Sequence, residues 1–96
     1  MGEKIQEIKD KIQPIAESND IAYAAIFGSV ARGEDKPESD IDLLVRFSQP
    51  KSLLDFSALN NELNKILGRQ VDLVTERALH PIIKRNIQKE LVTIYG

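Results

Sequence analysis

The chain has 96 residues, a formal net charge of −2 and no cysteine. Its length predicts one domain over residues 1–96, and the lack of cysteine excludes disulfides and thiolate metal sites. The acidic balance argues against direct binding of long nucleic acid, and no apolar run approaches the ~20 residues of a membrane span. We therefore expect a cytoplasmic protein. A nucleotide ligand stays open, because a divalent cation can supply positive charge locally.

The first half of the chain predicts a helix, a strand and a short helical turn. Apolar residues recur every three or four positions over residues 3–18, which is typical of an amphipathic helix, with Pro14 loosening its last turns. The apolar run 21–27 predicts a buried strand. Residues 28–32 predict a tight turn that leads into one helical turn, and the polar residues 33–39 predict a loop.

The second half predicts alternating strands and helices. The expected elements are a strand at 40–47, a helix at 52–67, a strand at 71–74 and a helix from His80-Pro81 to about residue 90. Ser52 is the expected N-cap of the longer helix, and Gly68 its left-handed C-cap. Residues 91–95 predict either a last short strand or a packed tail. The order of elements indicates an α/β (α+β) fold, in which helices cover a small sheet.

Gly28 and Ser29 follow the first strand and open a helical turn. Such a turn offers unpaired backbone N–H groups that attract phosphate. Gly28 has no Cβ to block close approach, and the Ser29 hydroxyl adds a donor. The alternative is a strand-to-helix turn that merely needs glycine and a capping serine.

Asp40 and Asp42 stand two positions apart at the start of the second predicted strand. Strand side chains alternate, so both carboxylates should point to the same face, roughly 6.5–7 Å apart along the strand. Two like charges on an otherwise apolar strand repel each other and resist the loss of water. A divalent cation would turn that repulsion into coordination, and oxygen ligands suit Mg²⁺ or Mn²⁺. The alternative is an exposed strand end that Asp40 caps.

Asp72 is an isolated carboxylate in the apolar third strand. Alternation allows it to lie on a solvent-facing side without any function. If this strand lies beside the second strand, Asp72 can face the same site as Asp40 and Asp42. It could then bind a catalytic metal ion and act as general base on an incoming hydroxyl group.

The order and spacing of these residues resemble a known family. Gly28-Ser29, then residues 30–39, then Asp40-x-Asp42 is similar to the Gly-Ser-x10-Asp-x-Asp signature of the DNA polymerase β-like nucleotidyltransferase superfamily. The strings GSVARGEDKPESDIDLLV and VDLVTERALHPIIKRNIQKELVTIY resemble the minimal nucleotidyltransferase (MNT) domain. The resemblance covers nearly the whole chain, and all three acidic positions are present.

The resemblance implies a nucleotidyltransferase fold with a central mixed sheet, ATP as donor and two Mg²⁺ ions, with Mn²⁺ as an alternative. Gly28 and Ser29 would hold the β- and γ-phosphates. Asp40 and Asp42 would ligate metal, and Asp72 would be the third carboxylate.

Residues near this signature have open roles. Arg32 follows the phosphate turn and could contact the triphosphate, or form a structural ion pair instead. Glu34 and Asp35 are interpreted as a solvated loop. Ile82 and Ile83 of the last helix are interpreted as core, or as a stripe that faces a partner if the helix is half covered.

The resemblance also implies an acceptor. MNT proteins are typically encoded with HEPN-domain partners, in pairs where the HEPN protein is a ribonuclease toxin. The leading hypothesis is AMP transfer from ATP to a hydroxyl group, with tyrosine favoured, on a HEPN toxin that forms a hetero-oligomer with this antitoxin. The alternatives are a small-molecule nucleotidyltransferase of the aminoglycoside-modifying kind, and a non-catalytic antitoxin that caps its partner sterically. The three acids count against the last alternative.

Overall fold

The computed structural model of the chain describes residues 2–34, 36 and 39–96. The predicted loop at 33–39 therefore lies partly outside the described residues, as does Asp35. The helices are α1 (Gly2–Ser18), α2 (Gly28–Arg32), α3 (Leu53–Leu67) and α4 (Pro81–Ile87). The strands are β1 (Ile21–Phe27), β2 (Ile41–Phe47), β3 (Val71–Thr75) and β4 (Val92–Tyr95), and one 3₁₀ turn (Glu76–Ala78) follows β3.

The four strands form one mixed sheet in the order β3-β2-β1-β4. Strand β1 is antiparallel to both of its neighbours, β2 and β4. Strands β2 and β3 are parallel, and α3 makes the crossover between them. The predicted α/β fold with a small mixed sheet and flanking helices is confirmed.

The core lies between one face of the sheet and helices α1 and α3. Ile41, Leu43 and Val45 alternate along β2 and are almost fully buried, together with Ile12 of α1 and Leu63 of α3. Because strand side chains alternate, the residues between them on β2 point to the opposite face of the sheet. The acidic residues of the predicted site therefore lie on the face away from these two helices.

Local signals fix both ends of α3 and the start of α4 as expected. Ser52 Oγ accepts a hydrogen bond from the Asp55 N–H at 3.1 Å, and Gly68 closes α3 with φ of 65°. His80 caps α4 through Nδ1, which accepts a hydrogen bond from the Ile82 N–H at 3.2 Å. Each contact satisfies a backbone group that the end of a helix leaves without a partner.

The structure corrects two boundaries and one burial assignment. Asp40 lies one residue before β2, and α4 ends at Ile87 instead of continuing to about residue 90. Of the two alternatives for residues 91–95, the structure has the strand, at Val92–Tyr95. Ile82 and Ile83 are 62% and 50% exposed, so their interpretation as core is wrong. Pro14 lies inside α1 without ending it. Among the described helices, none has the length and apolar character to cross a membrane.

Candidate active site

Asp42 and Asp72 lie side by side on neighbouring strands. They are register partners of the parallel pair β2–β3. Partners in register point to the same face, and neighbouring strands are about 4.8 Å apart. Asp42 is half-buried and Asp72 is exposed, so the pair opens to solvent on the Asp72 side. The placement of both acids on one face, which was conditional in the sequence, is confirmed.

The Asp42 carboxylate lies in an environment that disfavours its charge. Burial raises its pKa, and the negative charges of Asp72 and Asp40 raise it further. The positive charge of Arg32 acts in the opposite direction and is a smaller influence. An additional cation at this point would relieve the repulsion among the carboxylates.

Asp40 stands at the entrance of β2 and is exposed. Its neighbours are held by the loop before β3, because Arg69 donates to the Ser39 carbonyl through Nε at 3.1 Å and Nη2 at 2.6 Å. Arg69 Nη2 also donates to the Lys36 carbonyl at 3.0 Å. In addition, the Ile41 N–H donates to the Gln70 carbonyl at 2.9 Å. These bonds bring the Asp40 segment to the same end of the sheet as Asp42 and Asp72.

Gly28 is required at the turn after β1 for two reasons. Its φ of 76° is in the left-handed region, where a Cβ is unfavourable. A Cβ at this position would also collide with the Asp42 carboxylate and come within 3.0 Å of its Cγ. The next residue, Ser29, is half-buried, and its carbonyl accepts a hydrogen bond from the Glu34 N–H at 2.9 Å. The turn at Gly28 therefore lies directly against Asp42.

Glu90 joins this turn from the far end of the chain. Its Oε1 accepts a hydrogen bond from the Gly28 N–H at 2.9 Å, and its Oε2 accepts one from Arg32 Nη1 at 3.0 Å. The bond from Gly28, followed by the bond and the positive charge of Arg32, lowers the pKa of Glu90. Arg32 also donates from Nε to Glu34 Oε1 at 2.7 Å, and both partners raise the pKa of its guanidinium. Arg32 is thus ion-paired, and the Gly28 N–H already has a partner.

The donor chemistry of the acids fits a hard divalent cation. Asp42 and Asp72 present carboxylate oxygens on one face, and oxygen is the ligand that Mg²⁺ and Mn²⁺ prefer. Within residues 2–34, 36 and 39–96, no three His, Asp or Glu side chains are gathered closely enough to hold an ion in this conformation. The ligand roles of Asp40, Asp42 and Asp72 stay predictions.

Two residues of this region were missed in the sequence, Glu90 and Arg69. Glu90 lies 62 positions from Gly28 along the chain, and Arg69 lies 30 positions from Ser39. Both are charged residues two positions before a strand, but Glu90 falls at the end of the predicted last helix and Arg69 in a short polar connection. Their contacts follow from where the strands end, because Gly28, Asp40, Arg69 and Glu90 all lie at the same end of the sheet. That placement depends on the strand order, which the sequence does not give.

Solved structures share this fold. A chain of a toxin–antitoxin complex with AMP-PNP matches with a TM-score of 0.80 at 23% identity, over 92% of this chain and 73% of that chain. A chain of the complex between a tri-AMPylated HEPN toxin and an MNT antitoxin of Shewanella oneidensis matches with a TM-score of 0.75 at 21% identity. The second match covers 96% of this chain and 72% of that chain. At these identities the likeness shows the fold alone.

The sequence relationship is closer. The family described as "Polymerase beta, Nucleotidyltransferase" matches residues 10–96. A protein of Methanocaldococcus jannaschii, MJ0435, provisionally named a protein adenylyltransferase, is 48% identical over 90 residues, which are 94% of this chain and 97% of that protein. The match includes the turn at Gly28 and the strands that carry the acids. This chain is an enzyme of the polymerase β family of nucleotidyltransferases.

Proposed function

We propose that this enzyme transfers AMP from magnesium-bound ATP to a hydroxyl group, with tyrosine the favoured acceptor, on a HEPN ribonuclease toxin. It would thereby act as the antitoxin of that protein. The observation that carries the proposal is the pairing of Asp42 with Asp72 directly beside the Gly28 turn. Support also comes from the protein adenylyltransferase name of MJ0435 and from the AMPylated HEPN toxin in the complex of like fold.

The phosphate-binding role is divided among three residues of one turn. Gly28 contributes close approach, since its N–H is bound to Glu90 and its missing Cβ lets the Asp42 carboxylate lie against the turn. Ser29 offers its hydroxyl group, and Arg32 offers positive charge. The proposal thus keeps all three predicted nucleotide-binding residues but changes what Gly28 does.

Asp40, Asp42 and Asp72 would hold two Mg²⁺ ions, or Mn²⁺. When bound, the metal would neutralise the triphosphate and stabilise charge on the attacking and leaving oxygens. The fit rests on the burial of Asp42 and on the negative charges of Asp72 and Asp40, which together raise the pKa of Asp42 and would be offset by a bound cation. The donor would be ATP, in line with the AMP-PNP of the structurally similar complex.

The proposed transfer is a single displacement at the α-phosphorus of ATP. The acceptor hydroxyl oxygen forms a bond to this phosphorus as the bond to the bridging oxygen breaks. The electron pair leaves with pyrophosphate, and the hydroxyl proton passes to the Asp72 carboxylate and then to water. Asp72 suits this role because it is the exposed member of the pair, on the side that an acceptor can reach. The enzyme would work in the cytoplasm, in a hetero-oligomer with the toxin.

Intact-mass spectrometry tests the proposal. The chain is incubated with ATP, Mg²⁺ and the product of the neighbouring gene, which is then weighed. We expect added AMP with the wild type and none with Asp42→Asn. Asp10→Asn is the matched control, because Asp10 is an exposed carboxylate on α1 that accepts a hydrogen bond from the Gln6 side chain, far along the chain from the site. This control should transfer AMP normally.

The other outcomes would overturn the proposal in different directions. Binding of the partner without added mass indicates an antitoxin that acts by steric capping. Transfer to aminoglycosides but not to the partner indicates a small-molecule enzyme. Equal transfer by the wild type and Asp42→Asn would remove the acid pair from the reaction.

A further inference from the structure

We propose that Glu90 is a positioning residue of the nucleotide site, which holds the Gly28 turn and Arg32 in the orientation that receives the triphosphate. The inference rests on the proposed function, since it presupposes that a nucleotide binds at this turn. Nothing in the family signature Gly-Ser-x10-Asp-x-Asp contains Glu90. The proposal therefore adds a residue to the site from a segment that lies 62 positions from Gly28.

The first observation is the bond between Glu90 and the turn. Glu90 Oε1 accepts the Gly28 N–H at 2.9 Å, immediately after β1 ends. Glu90 lies two residues before β4, and β4 is the edge strand that pairs with β1. The Glu90 N–H itself donates to the Ile87 carbonyl at 2.9 Å, which ties the residue to the end of α4. The turn is thus anchored by Glu90 on one side and abuts Asp42 on the other.

The second observation is the way Arg32 is held. Glu90 binds Nη1 at 3.0 Å and Glu34 binds Nε at 2.7 Å, so two carboxylates fix the guanidinium. Among the described residues, Nη2 of Arg32 has no acceptor. The charge of Arg32 reaches Asp42, whose pKa it lowers against the other influences. A planar guanidinium held at two nitrogens directs its remaining N–H groups, and such groups suit the oxygens of a phosphate.

Stability alone does not account for this arrangement. Arg32 and Glu90 have side chains that are 45% and 25% exposed. An ion pair of that exposure contributes little to stability, because water screens it. A small displacement of a binding group, in contrast, can reduce the function of a site by up to about 100-fold. The effect of Glu90 should therefore appear in nucleotide affinity more than in melting temperature.

The substitution Glu90→Gln separates these effects. The amide oxygen of glutamine can still accept the Gly28 N–H, but its neutral group no longer forms an ion pair with Arg32. The full chain is titrated with AMP-PNP in the presence of Mg²⁺ by calorimetry. We expect Glu90→Gln to bind about 10-fold more weakly than the wild type, with a nearly unchanged melting temperature. Glu90→Ala, which also releases Gly28, should bind more weakly still.

A double-mutant cycle tests whether Glu90 acts through Arg32. Arg32→Gln should weaken binding at least as much as Glu90→Gln, and the double variant should bind no more weakly than Arg32→Gln alone. If Glu90→Gln fails to fold, Arg32→Lys tests the same link. Lysine keeps the charge but cannot bridge two carboxylates as a planar fork, so it should also bind more weakly.

Glu76→Gln is the matched control. Glu76 is likewise a glutamate with two basic partners, Arg46 at 3.7 Å and Lys84 at 2.8 Å, and its side chain is 29% exposed. It lies four residues beyond Asp72, about 13 Å farther along the strand direction. Its loss should leave AMP-PNP affinity unchanged.

Several results would overturn the inference. Wild-type affinity in Glu90→Gln would do so while leaving the proposed function intact, as would an equal loss in Glu76→Gln. The inference would also be overturned if Glu90→Gln weakened AMP-PNP binding by the same factor in the Arg32→Gln background as in the wild type. Failure of the wild type to bind AMP-PNP with Mg²⁺ would overturn both the inference and the ATP donor.

Discussion

At the scale of single residues, Gly28 combines a left-handed backbone conformation with close contact to Asp42. We predict that Gly28→Ala destabilises the fold by roughly 1–2 kcal/mol, the cost of a Cβ in the left-handed region. The new methyl group must also displace the Asp42 carboxylate, so AMP transfer should be lost. Urea unfolding measures the first effect, and intact-mass spectrometry measures the second.

Gly68 provides the control for this substitution. Its φ of 65° is similar to that of Gly28, but a Cβ there would have no atom within 4 Å. Gly68→Ala should lose similar stability and keep its transfer activity. If both alanine variants transfer AMP equally well, the close approach of Gly28 to Asp42 has no role in the reaction.

The negative charge of Asp42 should destabilise the folded protein, and a comparison of melting temperatures measures this effect without a substrate. Burial, with the charges of Asp72 and Asp40, raises the pKa of Asp42 above its value in the unfolded chain. Protonated Asp42 therefore makes its full contribution to stability below the pKa that it has in the unfolded chain. This contribution is lost as the pH rises through the pKa of Asp42 in the folded protein. Asp42→Asn should therefore be more stable than the wild type at pH 7 and melt at a higher temperature. The gain in free energy of unfolding should be less than about 1 kcal/mol, because the carboxylate is partly solvated.

The comparison is made in buffer free of divalent metal, at neutral pH and in acid below the ordinary carboxyl pKa of about 3.9. The difference in melting temperature should close in acid, where both side chains are neutral. A difference of the same size at both pH values would show that packing, not charge, distinguishes the variant. Asp10→Asn, at an exposed position, should stay within about 0.5 kcal/mol of the wild type.

At the scale of elements, the sequence predicts what is local. The apolar run of β1 and the caps at Ser52 and Gly68 are determined by neighbouring residues, and the structure has them where expected. The end of α4, in contrast, is not determined by neighbouring residues. Residues 88–90 continue a helical pattern in the sequence, but pairing of β4 with β1 and the bond from Gly28 to Glu90 require the chain to leave the helix earlier.

The candidate site follows the same division. Alternation along β2 predicts that Asp42 points to the face opposite the buried residues. That Asp72 points to the same face follows only once β3 is known to lie beside β2. The Glu90 contact depends on β4 pairing at the opposite edge of the sheet, beside β1. No spacing rule along the chain indicates which of several strand orders is adopted. Glu90 and Arg69 therefore become visible only with the sheet assembled.

At the scale of the whole molecule, the charge distribution favours a nucleotide that binds together with a divalent cation over a free nucleotide. The chain carries a net charge of −2, and Asp40, Asp42 and Asp72 lie at one end of its sheet, where Arg32 is already paired with two carboxylates. A triphosphate brings further negative charge to this end. Repulsion should keep it away unless divalent cations bind with it.

We therefore predict that AMP-PNP raises the melting temperature only when Mg²⁺ is present. At a free concentration of 100 times the dissociation constant, binding stabilises the fold by about 2.7 kcal/mol. For a chain of this size that corresponds to an increase of about 10–20 °C. Differential scanning fluorimetry with AMP-PNP in Mg²⁺ or in EDTA measures it, and Asp42→Asn should respond to neither mixture. An equal increase in EDTA would mean that the nucleotide binds without the acids, at a basic surface elsewhere on the chain.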